Sequence, residues 1–184
     1  MSANIFFTAD THFFHKNIIK YSRRPFETVQ EMNCTMIERW NEVVRQQDII
    51  YHLGDFGFGK NNISEILEQL NGKKFLCIGS HDKDTIKAAN KYFQDIKESF
   101  YLSLNGHQLF LSHYMHYVWP TSHYGSWHLF GHSHSGLNNI AENHGKCLDV
   151  GVDSHDFRPW GLYEIIDFMK MRPENFNQIN KIIG

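Results

Sequence analysis

Cysteine is scarce in this chain, and its spacing excludes two common roles for this residue. The 184 residues include three cysteines, Cys34, Cys77 and Cys147, and they contain no Cys-x-x-Cys pair. An odd number of isolated cysteines argues against a disulfide framework and against a zinc site built from thiolates. Cys77 lies inside an apolar run, where we expect a buried thiol. The composition therefore favours a protein of the reducing cytoplasm.

Long apolar stretches and an excess of charge of one sign are also missing. No run approaches the ~20 apolar residues that a membrane-spanning helix needs, and the first polar cluster already begins at Asp10, so we expect no signal peptide and no membrane partner. The net charge of −2 gives no sign of a polyanion-binding surface, although bound metal ions would add positive charge that a residue count misses. The length predicts one domain over residues 1–184. A monomer and a homodimer both remain open.

Histidine, by contrast, is abundant, and much of it lies in polar clusters that directly follow apolar runs. The chain has 13 histidines. The five clusters are Asp10-Thr11-His12, Gly54-Asp55, Gly79-Ser80-His81-Asp82, Ser112-His113 and Gly131-His132-Ser133-His134. Short apolar runs bounded by glycine or polar residues are typical of buried strands. Because ligands of α/β folds bind beyond the carboxyl ends of the strands, five such ends predict one polynuclear metal site. Imidazole together with carboxylate favours Zn, Mn, Fe or Ni over Ca.

The rest of the pattern predicts strands that alternate with helices, followed by a hairpin. The expected strands cover residues 4–9, 48–53, 74–78, 96–104, 108–111, 127–130 and 146–150. The expected helices cover residues 28–46, 64–70 and 84–92 and the tail from 162, with a last helix that starts at Pro173. Asn105-Gly106 is a strong hairpin signal. These elements indicate an α/β fold with mixed sheets.

Taken in order, the five clusters resemble the motif series of the calcineurin-like metallophosphoesterases. That series reads D-x-H, GD, GNH[DE], a later H, and GH-x-H, and the match runs from residue 10 to residue 134. The flanks Arg24-Pro25-Phe26 and Asp149-Val150-Gly151-Val152-Asp153 resemble the small bacterial and phage-type members. The resemblance implies a four-layer α/β/β/α sandwich with two mixed β-sheets. It also implies hydrolysis of phosphate mono- or diesters by a hydroxide that bridges two divalent metal ions (Mn, Fe, Ni or Zn).

The same resemblance implies a role for each residue of the clusters. One metal ion would be bound by Asp10, His12, Asp55 and His134, and the second by Asp55, His113 and His132, with Ser80 at the remaining family ligand position. Asp55 would bridge the two ions. His81 would stabilise charge or protonate the leaving group, and Asp82 would orient His81.

One position departs from the family pattern, since Ser80 stands where the family has Asn. A serine hydroxyl is shorter than an amide carbonyl and is a poorer metal ligand. We therefore expect a weaker second metal site. This departure favours one alternative, a catalytically weakened or degenerate binding scaffold that keeps the fold. The presence of His81 and of the other ligand residues argues against that alternative.

Substrate contacts are less clearly marked in the sequence. His15 could reach the mouth of the site, and Arg24 could bind phosphate through its guanidinium fork, with a surface histidine and a solvated charge as the alternatives. Four aromatic residues could stack on a nucleobase or instead form core or a dimer face: Tyr117, Trp119, Tyr124 and Trp127. Nucleotides and nucleic acids thus remain candidate substrates. Asp149 and Asp153 are expected to be structural.

Overall fold

Nine strands and six α-helices form the described part of the chain, which is residues 3–59 and 62–179 of a computed structural model. The strands are β1 (Ile5–Thr8), β2 (Ile49–His52), β3 (Lys73–Cys77), β4 (Phe93–Lys97), β5 (Ser99–Leu104), β6 (His107–Ser112), β7 (Trp127–Phe130), β8 (Cys147–Asp149) and β9 (Trp160–Gly161). The helices are α1 (Ile18–Tyr21), α2 (Val29–Val43), α3 (Ile63–Gln69), α4 (Lys83–Ala89), α5 (Asn138–His144) and α6 (Leu162–Lys170). Within these residues, no helix is both long and apolar enough to cross a membrane.

The strands form two mixed sheets. In the first sheet the order is β4-β3-β2-β1-β9, with β1 to β4 parallel and β9 antiparallel to β1. In the second sheet the order is β5-β6-β7-β8, with β5 antiparallel to β6 and the other pairs parallel. The parallel strands of each sheet therefore deliver their carboxyl ends to one edge.

Alternating side chains along the strands fill the layers between sheets and helices. Phe6 belongs to the apolar cluster that contains Met36 and Trp40 of α2, whereas its neighbour Phe7 belongs to the cluster between the two sheets. Successive side chains of a strand point to opposite faces, so each sheet has two apolar faces to cover. In the second sheet, the outer face packs on Ala141 of α5. The predicted four-layer α/β/β/α sandwich is confirmed.

The prediction of one strand over residues 96–104 is wrong. The chain bends at Glu98, so that β4 ends in the first sheet and β5 begins in the second. The polar run Lys97-Glu98-Ser99 interrupts the apolar pattern at this bend, and it is the signal that could have divided the predicted strand. The hairpin is confirmed, because Leu104 pairs with His107 across Asn105-Gly106.

The helix predicted from Pro173 is also wrong, since described residues 171–179 form turns, a bend and irregular segments. Asn175 holds this segment against the second sheet by long-range hydrogen bonds. Its amide nitrogen donates to the carbonyl oxygens of Ser122 and Ser126 at 2.8 and 2.9 Å, and its Oδ1 accepts from Lys146 N at 2.7 Å. Contacts between distant residues override local helix preference here. The short elements α5 and β9 were not among the predicted ones.

Candidate metal centre

Two groups of Asp and His side chains that could each hold a metal ion, called the metal-binding groups below, lie at the strand ends. The first group is Asp10, His12 and His134, and the second group is Asp55, His113 and His132. Within each group the ligand atoms lie within 4.8 Å of one another. The loops after β1, β2, β6 and β7 carry them. The structure thus brings together the six Asp and His residues that the sequence assigns to metal binding.

Asp55 lies between the two groups. Its Oδ2 is 3.6 Å from His12 Nε2 in the first group and 3.5 Å from His113 Nε2 in the second group. Burial raises the pKa of Asp55, but the hydrogen bond and charge of His113 outweigh burial and hold this pKa below its usual range. Asp55 is therefore ionised at neutral pH, as a metal ligand must be.

Buried polar atoms without hydrogen-bond partners mark the first group. Among the described residues, Asp10 Oδ1 and both ring nitrogens of His12 have no partner. An unpaired buried polar group costs about 1–3 kcal/mol. Burial, with the nearby carboxylates of Asp149 and Asp55, raises the pKa of Asp10, and burial lowers the pKa of His12 to about 2. A divalent cation fits this donor set, because it pairs with the carboxylate and takes a neutral imidazole as ligand.

The backbone at the metal-binding residues is left-handed. Five of them have positive φ angles: Asp10 (56°), His12 (49°), Asp55 (55°), His132 (67°) and His134 (45°). Left-handed φ at a residue other than glycine is uncommon and costs on the order of 1–3 kcal/mol, and it persists where the surrounding structure imposes it. The turns that aim these side chains into one centre are therefore maintained against local preference.

Two glycines permit the close approach of the loops. A Cβ on Gly79 would lie 2.2 Å from Asp55 N, and a Cβ on Gly131 would lie 2.6 Å from Asp10 Oδ2. Neither contact is sterically possible without displacement of the ligand loops. The absence of a side chain at Gly131 also lets His132 N donate to Asp10 Oδ2 at 2.7 Å.

Asp153 orients the imidazole of His134, and Arg24 in turn fixes the carboxylate of Asp153. His134 Nδ1 donates to Asp153 Oδ2 at 2.7 Å, and Arg24 donates to both oxygens of the same carboxylate from Nε and Nη2 at 2.8 and 2.9 Å. A hydrogen bond at Nδ1 fixes the tautomer and leaves Nε2 free for a metal ion. The expectation of a structural role for Asp153 thus becomes specific: it orients one candidate ligand.

The carboxylate of Asp149 accepts hydrogen bonds from the loop that carries His134. Asp149 Oδ2 accepts from Ser133 Oγ at 2.5 Å and from Ser135 N at 3.1 Å, and its Oδ1 accepts from Gly151 N at 2.8 Å. These bonds join the loop after β7 to the loop after β8.

Arg24, which the sequence offers as a phosphate contact, is bonded to other residues of this chain instead of facing solvent. Its side chain is fully buried. Besides Asp153, the guanidinium donates to the carbonyl oxygens of Thr11 and Asp10 and to Met32 Sδ. All of its N–H groups are therefore engaged, and Arg24 instead ties the loop after β1 to Asp153.

The substitution Asp153→Asn is expected to weaken metal binding at the first group by roughly 10- to 100-fold, the usual effect of a lost outer partner of a metal-bound histidine. The second group should keep its affinity. Calorimetric titration of the metal-free protein with Mn²⁺ measures the affinity of each of the two groups. Asp167→Asn, on an exposed carboxylate that pairs with Lys170, is the control. Equal weakening at both groups would contradict a role confined to His134.

The prediction that Asp82 orients His81 is wrong. Asp82 is fully buried, and its carboxylate accepts from three backbone amides, Gly79 N and Asp55 N at 2.8 Å and Phe56 N at 2.9 Å. Three such bonds occupy both oxygens. Asp82 therefore positions the loop that carries Asp55.

Ser80 and His81 lie against the carboxylate of Asp55. Ser80 Oγ donates to Asp55 Oδ2 at 3.0 Å, and His81 N donates to Asp55 Oδ1 at 2.8 Å. The His81 imidazole belongs to neither metal-binding group; its ring centre is 5.7 Å from that of His12. His81 thus presents an exposed ring beside the candidate metal centre.

A groove of about 700 Å³ opens above the centre. Metal-binding residues form one part of its lining, and the other part includes His15, Tyr21, Arg23 and Phe58. His15 lies where the sequence places it. Arg23, like Arg24, is a possible phosphate contact from the sequence. Tyr21 and Phe58 were missed, because only the fold brings the segment near α1 and the loop after β2 to the same groove.

The aromatic residues named in the sequence do not line this groove. Trp119 and Trp127 are buried in the apolar clusters of the second sheet, and neither Tyr117 nor Tyr124 is among the lining residues. The aromatic surface at the site comes from a different part of the chain.

Comparison with known proteins agrees with this arrangement. The model of the calcineurin-like phosphoesterase superfamily domain matches residues 4–150. The chain is 35% identical to an uncharacterized protein of Methanocaldococcus jannaschii, covering 90% of this chain and 91% of that one. It is 26% identical to the Gene 66 protein of Mycobacterium phage L5, covering 98% and 96%. A crystal structure of a protein of unknown function from Aquifex aeolicus superimposes with a TM-score of 0.72 at 25% identity, covering 91% of this chain and all of that one.

Proposed function

The chain belongs to the calcineurin-like phosphoesterase superfamily, and from this membership we propose that it hydrolyses phosphate mono- or diesters with two divalent metal ions. One observation carries the proposal: Asp55 Oδ2 faces histidine nitrogens of both metal-binding groups at 3.5–3.6 Å. A carboxylate placed in this way can bridge two cations and offset their repulsion. Mn, Fe, Ni and Zn are the candidate metals.

The proposed ligands follow the two groups. Asp10, His12, His134 and Asp55 would hold the first ion, and Asp55, His113, His132 and Ser80 the second. When bound, the ions would acidify a water molecule and neutralise charge on the phosphate oxygens. Asp55 contributes the bridging carboxylate, and Asp153 keeps the His134 imidazole in its binding orientation.

His81 has the remaining chemical role in this proposal. Its backbone is tied to Asp55 by the hydrogen bond from its own N, so the imidazole stands at the groove next to both groups. From this position it can donate a proton to the leaving oxygen or stabilise charge on the phosphate. The three free cysteines are compatible with action in the cytoplasm.

Hydrolysis of p-nitrophenyl phosphate and bis-p-nitrophenyl phosphate tests this proposal. The metal-free protein should be inactive, and added Mn²⁺ should restore turnover of at least one of the two esters. Comparison of the two rates distinguishes a monoesterase from a diesterase. Binding of two Mn²⁺ without any turnover would instead identify a degenerate scaffold, the alternative that Ser80 favours.

The substitution Ser80→Asn is expected to strengthen the second metal site and to raise activity at limiting metal. An amide carbonyl is a stronger ligand than a hydroxyl and reaches further. A missing strong contact costs on the order of 1–3 kcal/mol, which corresponds to roughly 5- to 150-fold in metal affinity. The difference should shrink as metal is added, because mass action fills the weaker site. Turnover measured at increasing Mn²⁺ concentrations compares the two proteins. Superimposed curves would contradict the expected gain in metal affinity.

A further inference from the structure

Three aromatic rings line one part of the groove, beside the first metal-binding group, where the rings of His15 and His12 are 5.4 Å apart. This aromatic wall consists of His15, Tyr21 and Phe58. The side chain of Tyr21 is 73% exposed and that of Phe58 is 43% exposed. Large aromatic surface left in water is unfavourable, and inside a concave site it is a typical ligand contact. The wall therefore has the character of a binding surface.

The geometry of the wall suits a flat ligand. Phe58 stacks on His15 with ring centres 4.5 Å apart and an angle of 15° between the planes. Tyr21 meets the same imidazole edge-on at 6.2 Å. His15 covers one face of Phe58 and the ring of His81 is tilted against it by 46°, yet Phe58 stays 43% exposed. An additional planar ring can extend this stack.

The distance between the wall and the metal centre limits what the ligand can be. From His12, which belongs to the first metal-binding group, the ring of His81 is 5.7 Å away, and the ring of Phe58 is a further 5.3 Å from His81. One layer of imidazoles thus separates Phe58 from the metal-binding residues. A ring joined to phosphorus by a single oxygen would lie near His81, whereas a ring beyond a sugar would reach Phe58 and Tyr21.

We propose that the groove selects phosphoesters in which a sugar-sized linker separates phosphorus from a planar ring, as in nucleotides, and that Phe58 and Tyr21 bind this ring. The inference rests on the proposed function for the position of the phosphate. It adds a specificity surface that the metal-binding residues do not provide.

Binding of three probes to the Mn²⁺-loaded protein tests the proposal. AMP and ribose 5-phosphate differ only in the base, and phenyl phosphate has its ring next to phosphorus. Calorimetry should show that AMP binds roughly 5- to 150-fold more tightly than ribose 5-phosphate, the range expected for one stacked base. If a probe is hydrolysed, kcat/KM from phosphate release replaces the dissociation constant.

The variants Phe58→Leu and Tyr21→Leu should remove most of the preference for AMP. Both positions are partly exposed, so an intact fold is expected, and a thermal melt checks it. Affinity for ribose 5-phosphate and for phenyl phosphate should stay within about twofold of the parent. Tyr163→Leu is the control, because Tyr163 is 69% exposed and lies outside the groove.

Several outcomes would overturn the proposal. Equal affinity for AMP and ribose 5-phosphate would show that the base makes no favourable contact. A preference for AMP that survives in both variants would show that the base binds away from Phe58 and Tyr21. If the two variants lost as much affinity for phenyl phosphate as for AMP, a ring joined directly to the phosphate would also reach Phe58 and Tyr21, and the proposed need for a linker would be wrong. Failure of the proposed function is distinguishable, because it would appear as an absence of p-nitrophenyl ester hydrolysis whatever the calorimetry gives.

Discussion

Replacement of Asp55 by Asn is expected to remove metal from both groups and to abolish hydrolysis. The side chain keeps its size, and its Oδ1 can still accept from His81 N. What it loses is the negative charge that faces His12 and His113. Leaving a buried site without its compensating charge costs about 3–5 kcal/mol, which corresponds to roughly 150- to 5,000-fold in metal affinity.

Metal analysis after dialysis against a limiting concentration of Mn²⁺ gives the result directly. The parent should retain two ions per chain, Asp10→Asn should lose only the ion of the first group, and Asp55→Asn should lose both. Asp95→Asn is the control, because Asp95 lies on β4 and pairs with Lys97. Retention of both ions by Asp55→Asn would exclude a shared carboxylate.

The position of the candidate metal centre could be predicted because it depends on a local pattern. Each candidate ligand follows an apolar run within a few residues, and parallel strands bring their carboxyl ends together. His113 illustrates this: nothing but its place after β6 marks it, yet it lies beside Asp55. The ordered series of motifs also predicted which of these residues belong to the same metal-binding group.

The residues that support the centre could not be predicted in the same way. Asp153 lies 129 residues from Arg24 in the chain, and only the fold brings them into contact. Arg24 stands beside a turn in the sequence and therefore suggested an exposed phosphate contact, whereas the structure buries it as a partner of Asp153. Asp82 suggested a partner for the adjacent imidazole, but the folded backbone presents three amides to its carboxylate instead.

For the same reason, only part of the groove could be predicted from the sequence. His15 lies close in sequence to a metal-binding motif, so proximity alone indicated it. Phe58 lies between two glycines in the loop after β2, and Tyr21 ends a one-turn helix. Neither position has a periodic pattern, and their common groove forms through contacts between separate loops.

Replacement of His81 by Ala is expected to lower kcat by roughly 10²–10⁴-fold while the protein keeps both metal ions, since this is the usual contribution of a positioned acid or charge stabiliser. The imidazole belongs to neither metal-binding group. The hydrogen bond from His81 N to Asp55 is made by the backbone and survives the substitution. The substitution should therefore lower kcat without lowering the metal content of the protein.

Rates for two esters tell the two roles of His81 apart. If the imidazole protonates the leaving oxygen, the loss should be larger for phenyl phosphoesters than for p-nitrophenyl phosphoesters, because p-nitrophenolate leaves readily without a proton. If it stabilises charge on the phosphate, the two losses should be equal. His123→Ala is the matched control, since His123 lies on the short turn Ser122–Tyr124 outside the groove. Loss of metal in proportion to activity in His81→Ala would make His81 a ligand and would refute both roles.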